Sequence, residues 1–221
     1  MRINQFLAKN TQLSRRSADQ AVNDLRVMIN GRPATNGDQV GSTDIIFLDG
    51  KKINHASQKN LTIMINKPEG YVCSRKGQGN KTIYDILPEN YKTLNTVGRL
   101  DKNSSGLLLL TNDGELAHQL THPSFKKIKI YHIELDQPLA PLHQQMISDF
   151  GVQLDDGPSK LNLEKTDNNR KKFTVSMHEG RNRQIRRTFE SLGYKVTKLH
   201  RTHFGTYDLK DLKSGQLIIV T

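Results

Sequence analysis

The chain has 221 residues, enough for one large domain or for a small one beside a medium one. Lys and Arg number 33 against 22 Asp and Glu, a formal net charge of +11 that favours a polyanionic partner, because each neutralised phosphate releases counterions. A lone cysteine, Cys73, excludes an internal disulfide; no apolar run approaches the ~20 residues of a membrane span, and Met1 to Asn10 lacks the apolar core of a signal peptide, so a soluble cytoplasmic protein is expected.

Residues 1–53 read as a self-contained module. Ile3, Phe6 and Leu7 mark a short amphipathic helix, and Ser14 is positioned to cap a second, in which Ala18, Ala21, Val22 and Leu25 form one apolar stripe. Val27 and Ile29 alternate as a strand before the hairpin signal Asn30-Gly31, and Asp44 to Leu48 is a further strand ending at Asp49-Gly50. Arg15 and Arg16 occupy the first turn of the second helix, where cations oppose the helix dipole at a cost of about 0.3–1 kcal/mol. They are either a solvated helix end or face something anionic. Residues 54–60, polar and patternless, read as a linker.

From Leu61 to the end at Thr221 the pattern changes. Leu61 to Ile65 is a strand leading into Asn66-Lys-Pro-Glu-Gly70. Leu107 to Thr111 is a fully apolar strand of the kind buried on both faces, stopped by Asn112-Asp113-Gly114. Glu115 to Leu120 is a short helix ended by Pro123; Lys127 to Leu135 and then Phe173, Val175 and Met177 alternate as half-buried strands; Arg183 to Leu192 is helical, closed by Gly193. Strands dominate with few interleaved helices. The expected class is α+β: a small N-terminal module plus a domain built on a mixed, mostly antiparallel sheet.

Several chemistries fail on spacing. Gly77-Gln-Gly-Asn-Lys81-Thr82 lacks the glycine that a phosphate loop places before its lysine. His200 and His203 have no Cys, Asp or Glu at ligand spacing, so no metal is expected. Cys73 reads as a small buried filler. Two segments carry more. Gly98-Arg-Leu-Asp101 places a carboxylate in a polar loop directly before the apolar strand, where catalytic groups tend to sit, although a turn-capping aspartate would look the same. Glu179-Gly-Arg-Asn-Arg-Gln-Ile-Arg-Arg187 runs four arginines from a turn into a helix, with Arg183, Arg186 and Arg187 on one expected face. These would serve either as RNA-phosphate contacts or as a buried partner that keeps a carboxylate ionised. Residues 170–201 hold ten Lys and Arg against Glu179 and Glu190 alone.

At these residues the chain resembles the RsuA/RluB/RluE/RluF family of ribosomal pseudouridine synthases. The resemblance covers nearly its whole length: Asn66-Lys-Pro-Glu-Gly-Tyr71, Gly98-Arg-Leu-Asp101 with Ser104, Gly106 to Gly114, Lys129-Ile-Tyr131, Glu179 to Arg187, and Leu199-His-Arg201 to Gly205. The N-terminal module is similar to the alpha-L RNA-binding domain that precedes the catalytic domain in most of these enzymes, with Ser14-Arg15-Arg16 and Asn30-Gly31 in the matching places. The resemblance implies that Asp101 is the essential aspartate, that Tyr131 packs on the target base, and that Arg186 pairs with the aspartate. It implies that Arg99 helps to flip the nucleotide and that Arg15 and Arg16 touch RNA; Asn30, Lys129, Arg181, Arg183 and Arg187 are expected beside them on the RNA. No cofactor is implied. The partner would be ribosomal RNA or an assembling ribosomal subunit, and the chain a monomer. Gly151 to Pro158 and the Glu179-to-Arg183 run look more like the RluB branch, which acts on the large subunit.

Overall fold

The computed structural model describes residues 1–55 and 59–220. The expected linker thus falls partly, at 56–58, outside the described residues. The chain divides into two compact units, Met1–Lys59 and Asn60–Thr221.

In the first unit α1 (Ile3–Asn10) and α2 (Arg15–Asn23) pack on a four-stranded sheet of β1 (Val27–Ile29), β2 (Arg32–Pro33), β3 (Ile46–Leu48) and β4 (Lys51–Ile53), in the order β2-β1-β3-β4. The Ser14 hydroxyl accepts from the Ser17 backbone N–H, satisfying one of the orphan donors at the start of α2. Ile3, Phe6, Leu7, Ala18, Ala21, Val22, Val27, Ile29 and Ile46 share one core. Leu25 does not join it. The helix stops at Asn23, Leu25 takes a left-handed φ of 55° and is 69% exposed, so the stripe is one residue shorter than its spacing suggests. Asp49 and Gly50, with φ of 51° and 74°, make the hairpin that adds β4, a strand too short to show in the sequence pattern.

The second unit is a nine-stranded sheet. Its strands are β5 (Thr62–Lys67), β6 (Asn95–Val97), β7 (Ser105–Thr111), β8 (Lys129–Leu135), β11 (Asn162–Lys165), β12 (Lys172–Met177), β13 (Val196–Phe204), β14 (Tyr207–Asp208) and β15 (Leu217–Ile219). A separate hairpin, β9 (Val152–Leu154) with β10 (Gly157–Ser159), lies between β8 and β11 in the chain. The main order is β11-β12-β8-β13-β7-β5-β15, with β6 beside β7 and β14 beside β13; β7 and β13 are parallel and every other pair is antiparallel. The α+β class and mixed, mostly antiparallel sheet are therefore as expected.

The leucine run is explained by two cores. Leu108 and Leu110 point into a core with Ile63, Ile65, Tyr131, Ile133 and Phe173, joined by Ile185 and Phe189 of α5 (Gln184–Glu190). Leu107 and Leu109 point the other way, into a core with Met64, Val97, Phe204 and Leu120 of α3 (Gly114–Thr121). A strand covered on both faces has no position for a polar side chain. Gly106 is where β7 meets β13: a Cβ there would stand 2.2 Å from the Arg201 carbonyl oxygen, and its φ of 106° suits glycine alone. That close approach brings Arg201 beside the loop preceding β7. The short helix α4 (Pro141–Gln145), which carries no clear apolar period in the sequence, opens the stretch before β9.

Candidate active site

The loop carrying Asp101 is held from below by a lysine. Lys67, the last residue of β5, is completely buried, and its Nζ donates to the carbonyl oxygens of Pro68 (3.0 Å), Asp101 (3.1 Å) and Ser104 (2.7 Å). Gly70 N–H donates to Lys102 O at 2.7 Å, so the Asn66-to-Gly70 segment and the Asp101 loop are bound at two points. Burial pushes the Lys67 ammonium below the ordinary lysine value, while the nearby carboxylates of Glu69 and Asp101 oppose that shift. In the sequence Lys67 stands out only as part of a motif. The available signal was a lysine ending an otherwise enclosed strand, Thr62 to Lys67.

The thiol of Cys73 accepts from the Leu100 N–H at 3.4 Å, and burial pushes its pKa up. A protonated, half-buried thiol supports the loop rather than acting as a nucleophile. Arg99, two residues before Asp101, is exposed.

The four arginines of the 179–187 segment separate into different tasks. α5 begins at Gln184, and Arg183 precedes it in a left-handed conformation with φ of 47°, so Arg183, Arg186 and Arg187 do not share one helical face as expected. Arg183 instead turns its guanidinium toward Asp101, Nη1 to Oδ2 at 4.0 Å, with the carboxylate side chain 35% exposed. A non-glycine residue at positive φ stores strain of a kind that collects at functional sites.

Arg186 is buried and donates to two carbonyl oxygens, Val196 O at 2.5 Å and Asn103 O at 2.6 Å. The expected pairing of Arg186 with Asp101 is therefore corrected: its hydrogen bonds go to backbone, one of them on the aspartate's own loop. The guanidinium that reaches the carboxylate, at 4.0 Å, is that of Arg183. Arg186 still feels the aspartate, since burial and the Arg183 charge hold its pKa below the usual arginine value while Asp101, Glu69 and Glu190 raise it.

Arg181 and Arg187 are engaged internally. Both pair with Asp156, at 2.8 and 2.7 Å, and Arg181 also bonds Gly157 O, Pro158 O and Glu179. They fasten the β9–β10 hairpin to α5 and the segment before it. Lys129 likewise donates to Glu179 O at 3.0 Å and lies 5.6 Å from the Phe204 ring centre; burial lowers its pKa.

One row of residues crosses the sheet at this level. Lys67 of β5 faces Gly106, Gly106 faces Arg201, Arg201 faces Tyr131 of β8, and Tyr131 faces Val175. Tyr131 is 8% exposed. Arg201, visible in the sequence only within a motif, is buried with Nε on Leu107 O at 2.9 Å and its guanidinium 4.7 Å from the Phe204 ring. His200 beside it shares a 2.9 Å hydrogen bond with the Ser105 hydroxyl, and His203 lies 3.5 Å from Asp208; neither pairing involves the other histidine.

In the first unit Arg15 and Arg16 are exposed. Asn30 is occupied by its turn: Nδ2 donates to the Asp44 carboxylate at 2.8 Å and Oδ1 accepts from Ile45 N–H at 2.9 Å. With φ of 49° it forms the β1–β2 hairpin together with Gly31.

The chain thus carries a small module followed by a mixed-sheet unit, in which Lys67 clamps the Asp101 loop and the Arg183 guanidinium lies 4.0 Å from the carboxylate. Residues 61–191 match the RNA pseudouridylate synthase family and residues 1–46 the S4 domain, and the chain belongs to the RNA pseudouridylate synthase family. It is 37% identical over 216 residues to the ribosomal small subunit pseudouridine synthase A of Pasteurella multocida (strain Pm70), covering 96% of this chain and 91% of that one. It is 32% identical over 221 residues to the ribosomal large subunit pseudouridine synthase B of Bacillus subtilis (strain 168), covering 97% and 89%. Among solved structures, a crystal structure of pseudouridylate synthase superposes with a TM-score of 0.72 at 30% identity, over 100% of this chain and 96% of that one. Among the described residues no helix is long and apolar enough to cross a membrane.

Proposed function

We propose that the chain isomerises uridine to pseudouridine in ribosomal RNA of the large subunit, with Asp101 as the acting carboxylate and no cofactor. The observation that carries this is the clamp on the Asp101 loop by Lys67 and Arg186, with Arg183 at 4.0 Å from the carboxylate. The reaction breaks the C1′–N1 bond, turns the uracil and joins C5 to C1′, while the C5 hydrogen leaves as a proton. A hydrolase needs a second carboxylate to activate water; here the base is retained, and one carboxylate suffices. Attack at C1′, attack at C6 and assisted elimination at the sugar all require that carboxylate to be ionised. In this reading Tyr131 packs against the flipped base and is the candidate base for the C5 proton. Extruding the nucleotide costs a few kcal/mol, which phosphate contacts offset.

The test is hydrogen release from ribosomal RNA labelled at uridine C5, presented as separate large- and small-subunit RNAs, free and assembled. Release from large-subunit RNA is expected. Release from small-subunit RNA alone would move the substrate to that subunit, a reading favoured by the 37% identity to a small-subunit synthase. No release from either would return the chain to a non-catalytic RNA-binding role.

In this reading residues 1–53 form an RNA-binding module joined by 54–60 to a catalytic domain at 61–221, and Arg15 and Arg16 touch phosphate. Replacing both by alanine is expected to weaken RNA binding and to lower the slope of log affinity against log salt by about 1 for each phosphate no longer neutralised. Titration at several salt concentrations checks this; an unchanged slope would leave these arginines as a solvated helix end.

A further inference from the structure

The end of α3 carries a ring cluster that the proposed chemistry does not use. The His118 and His122 ring centres lie 4.8 Å apart, and Phe125 stands edge-on to them at 5.7 and 6.3 Å. His122 Nδ1 is 2.7 Å from the Ser124 hydroxyl and accepts from the Ser124 N–H, which fixes the turn Pro123–Phe125. Phe125 remains 44% exposed and Ile128 37%, a cost that a covering partner would remove.

The charge around these rings is mostly positive. Lys126, Lys127 and Lys129 follow the turn, and Glu115 is the only acidic residue between Gly114 and Ile133. His178 adds an imidazole, its Nδ1 held 2.7 Å from Lys126 O. The cluster also adjoins the Asp101 loop: a Cβ on Gly98 would lie 3.7 Å from the methyl of Thr121, the last residue of α3. Exposed Arg99 follows Gly98 directly.

Rings interleaved with cations suit nucleic acid better than protein. Protein interfaces deplete lysine at their cores, whereas sites for single strands pair aromatic faces with a basic groove. We propose that His118, His122 and Phe125 form a stacking platform for unpaired bases of the RNA strand flanking the target nucleotide, with Lys126 and Lys127 on its phosphates. This rests on the reading that the substrate is RNA, and adds to it that the RNA on this side of the site is single-stranded.

The experiment measures binding of the full chain to a fluorescent oligouridine of about twelve nucleotides and to an RNA duplex of about the same length. Replacing His122 and Phe125 together by alanine is expected to weaken oligouridine binding about tenfold and duplex binding by less than about twofold, with Phe125→Tyr retaining the affinity. Replacing Lys126 and Lys127 by alanine is expected to weaken both RNAs and to lower the salt slope. An unchanged oligouridine affinity, or equal losses on the two RNAs, would overturn the platform. So would a ring variant that binds both RNAs normally yet loses retention on ribosomal proteins, which would make the surface a protein contact. Thermal unfolding of the exposed-residue variants checks that the fold is intact. Because binding is read without turnover, a chain that isomerised no uridine would still answer the question.

Discussion

Replacing Asp101 by asparagine is expected to lower C5-hydrogen release from labelled ribosomal RNA by at least about 10³-fold, some 4 kcal/mol of transition-state stabilisation. The substitution keeps shape and loop geometry, because Lys67 and Ser104 bond the backbone carbonyl of residue 101 rather than its side chain. What disappears is the negative charge, and with it the nucleophile or base that each route to the glycosidic bond requires. Stability should change little, since the ion pair removed joins half-exposed groups 4.0 Å apart, a kind worth less than about 1 kcal/mol. RNA affinity should hold or rise slightly as repulsion from phosphate is removed. Single-turnover release together with a binding titration checks both. A variant that retained about a tenth of the wild-type rate would remove Asp101 from the chemistry.

The second large effect belongs to Lys67, acting on Asp101 through the backbone. Lys67→Met keeps most of the length of the side chain and an apolar stem but removes three hydrogen bonds from a site with no exposure. Three backbone carbonyl oxygens, the Ser104 one in a fully buried bond, would lose a charged donor, while the cost of burying the ammonium would be relieved; the net loss is expected to be about 2–4 kcal/mol. For a unit of this size that corresponds to a fall in Tm of roughly 5–15 °C. The rate should fall by about 10²-fold even well below the new Tm, because a carboxylate displaced by about 1 Å loses its attack geometry. Thermal unfolding and kcat at a temperature where the variant is folded separate the two effects. A lower Tm with an unchanged kcat would show that Lys67 holds the fold but not the site.

The elements were legible where the signal is local. The cap at Ser14, the turn at Asn30-Gly31 and the doubly covered strand Leu107–Leu110 each follow from residues within a few positions of one another. Boundaries slipped where a backbone left its regular region: Leu25 after α2, and Arg183 before α5. β4, β6, α4 and the β9–β10 hairpin are short, and their pattern is too brief to register as a period.

By itself the sequence determined the α+β class, the order of the main elements and the presence of one carboxylate in a polar loop before a buried strand. Periodicity and turn chemistry act over a few residues and need no distant partner. Only the tertiary structure decided which cation meets that carboxylate. Arginine and lysine side chains are long, and their partners are settled by competition among groups far apart in the chain: Lys67 reaches Asp101 across 34 positions, Arg186 reaches Asn103 across 83, and Arg187 closes on Asp156 across 31. No spacing within the 179–187 segment distinguishes the arginine that faces the site from those that fasten the hairpin, because one left-handed φ at Arg183 and the position of Asp156 make that choice.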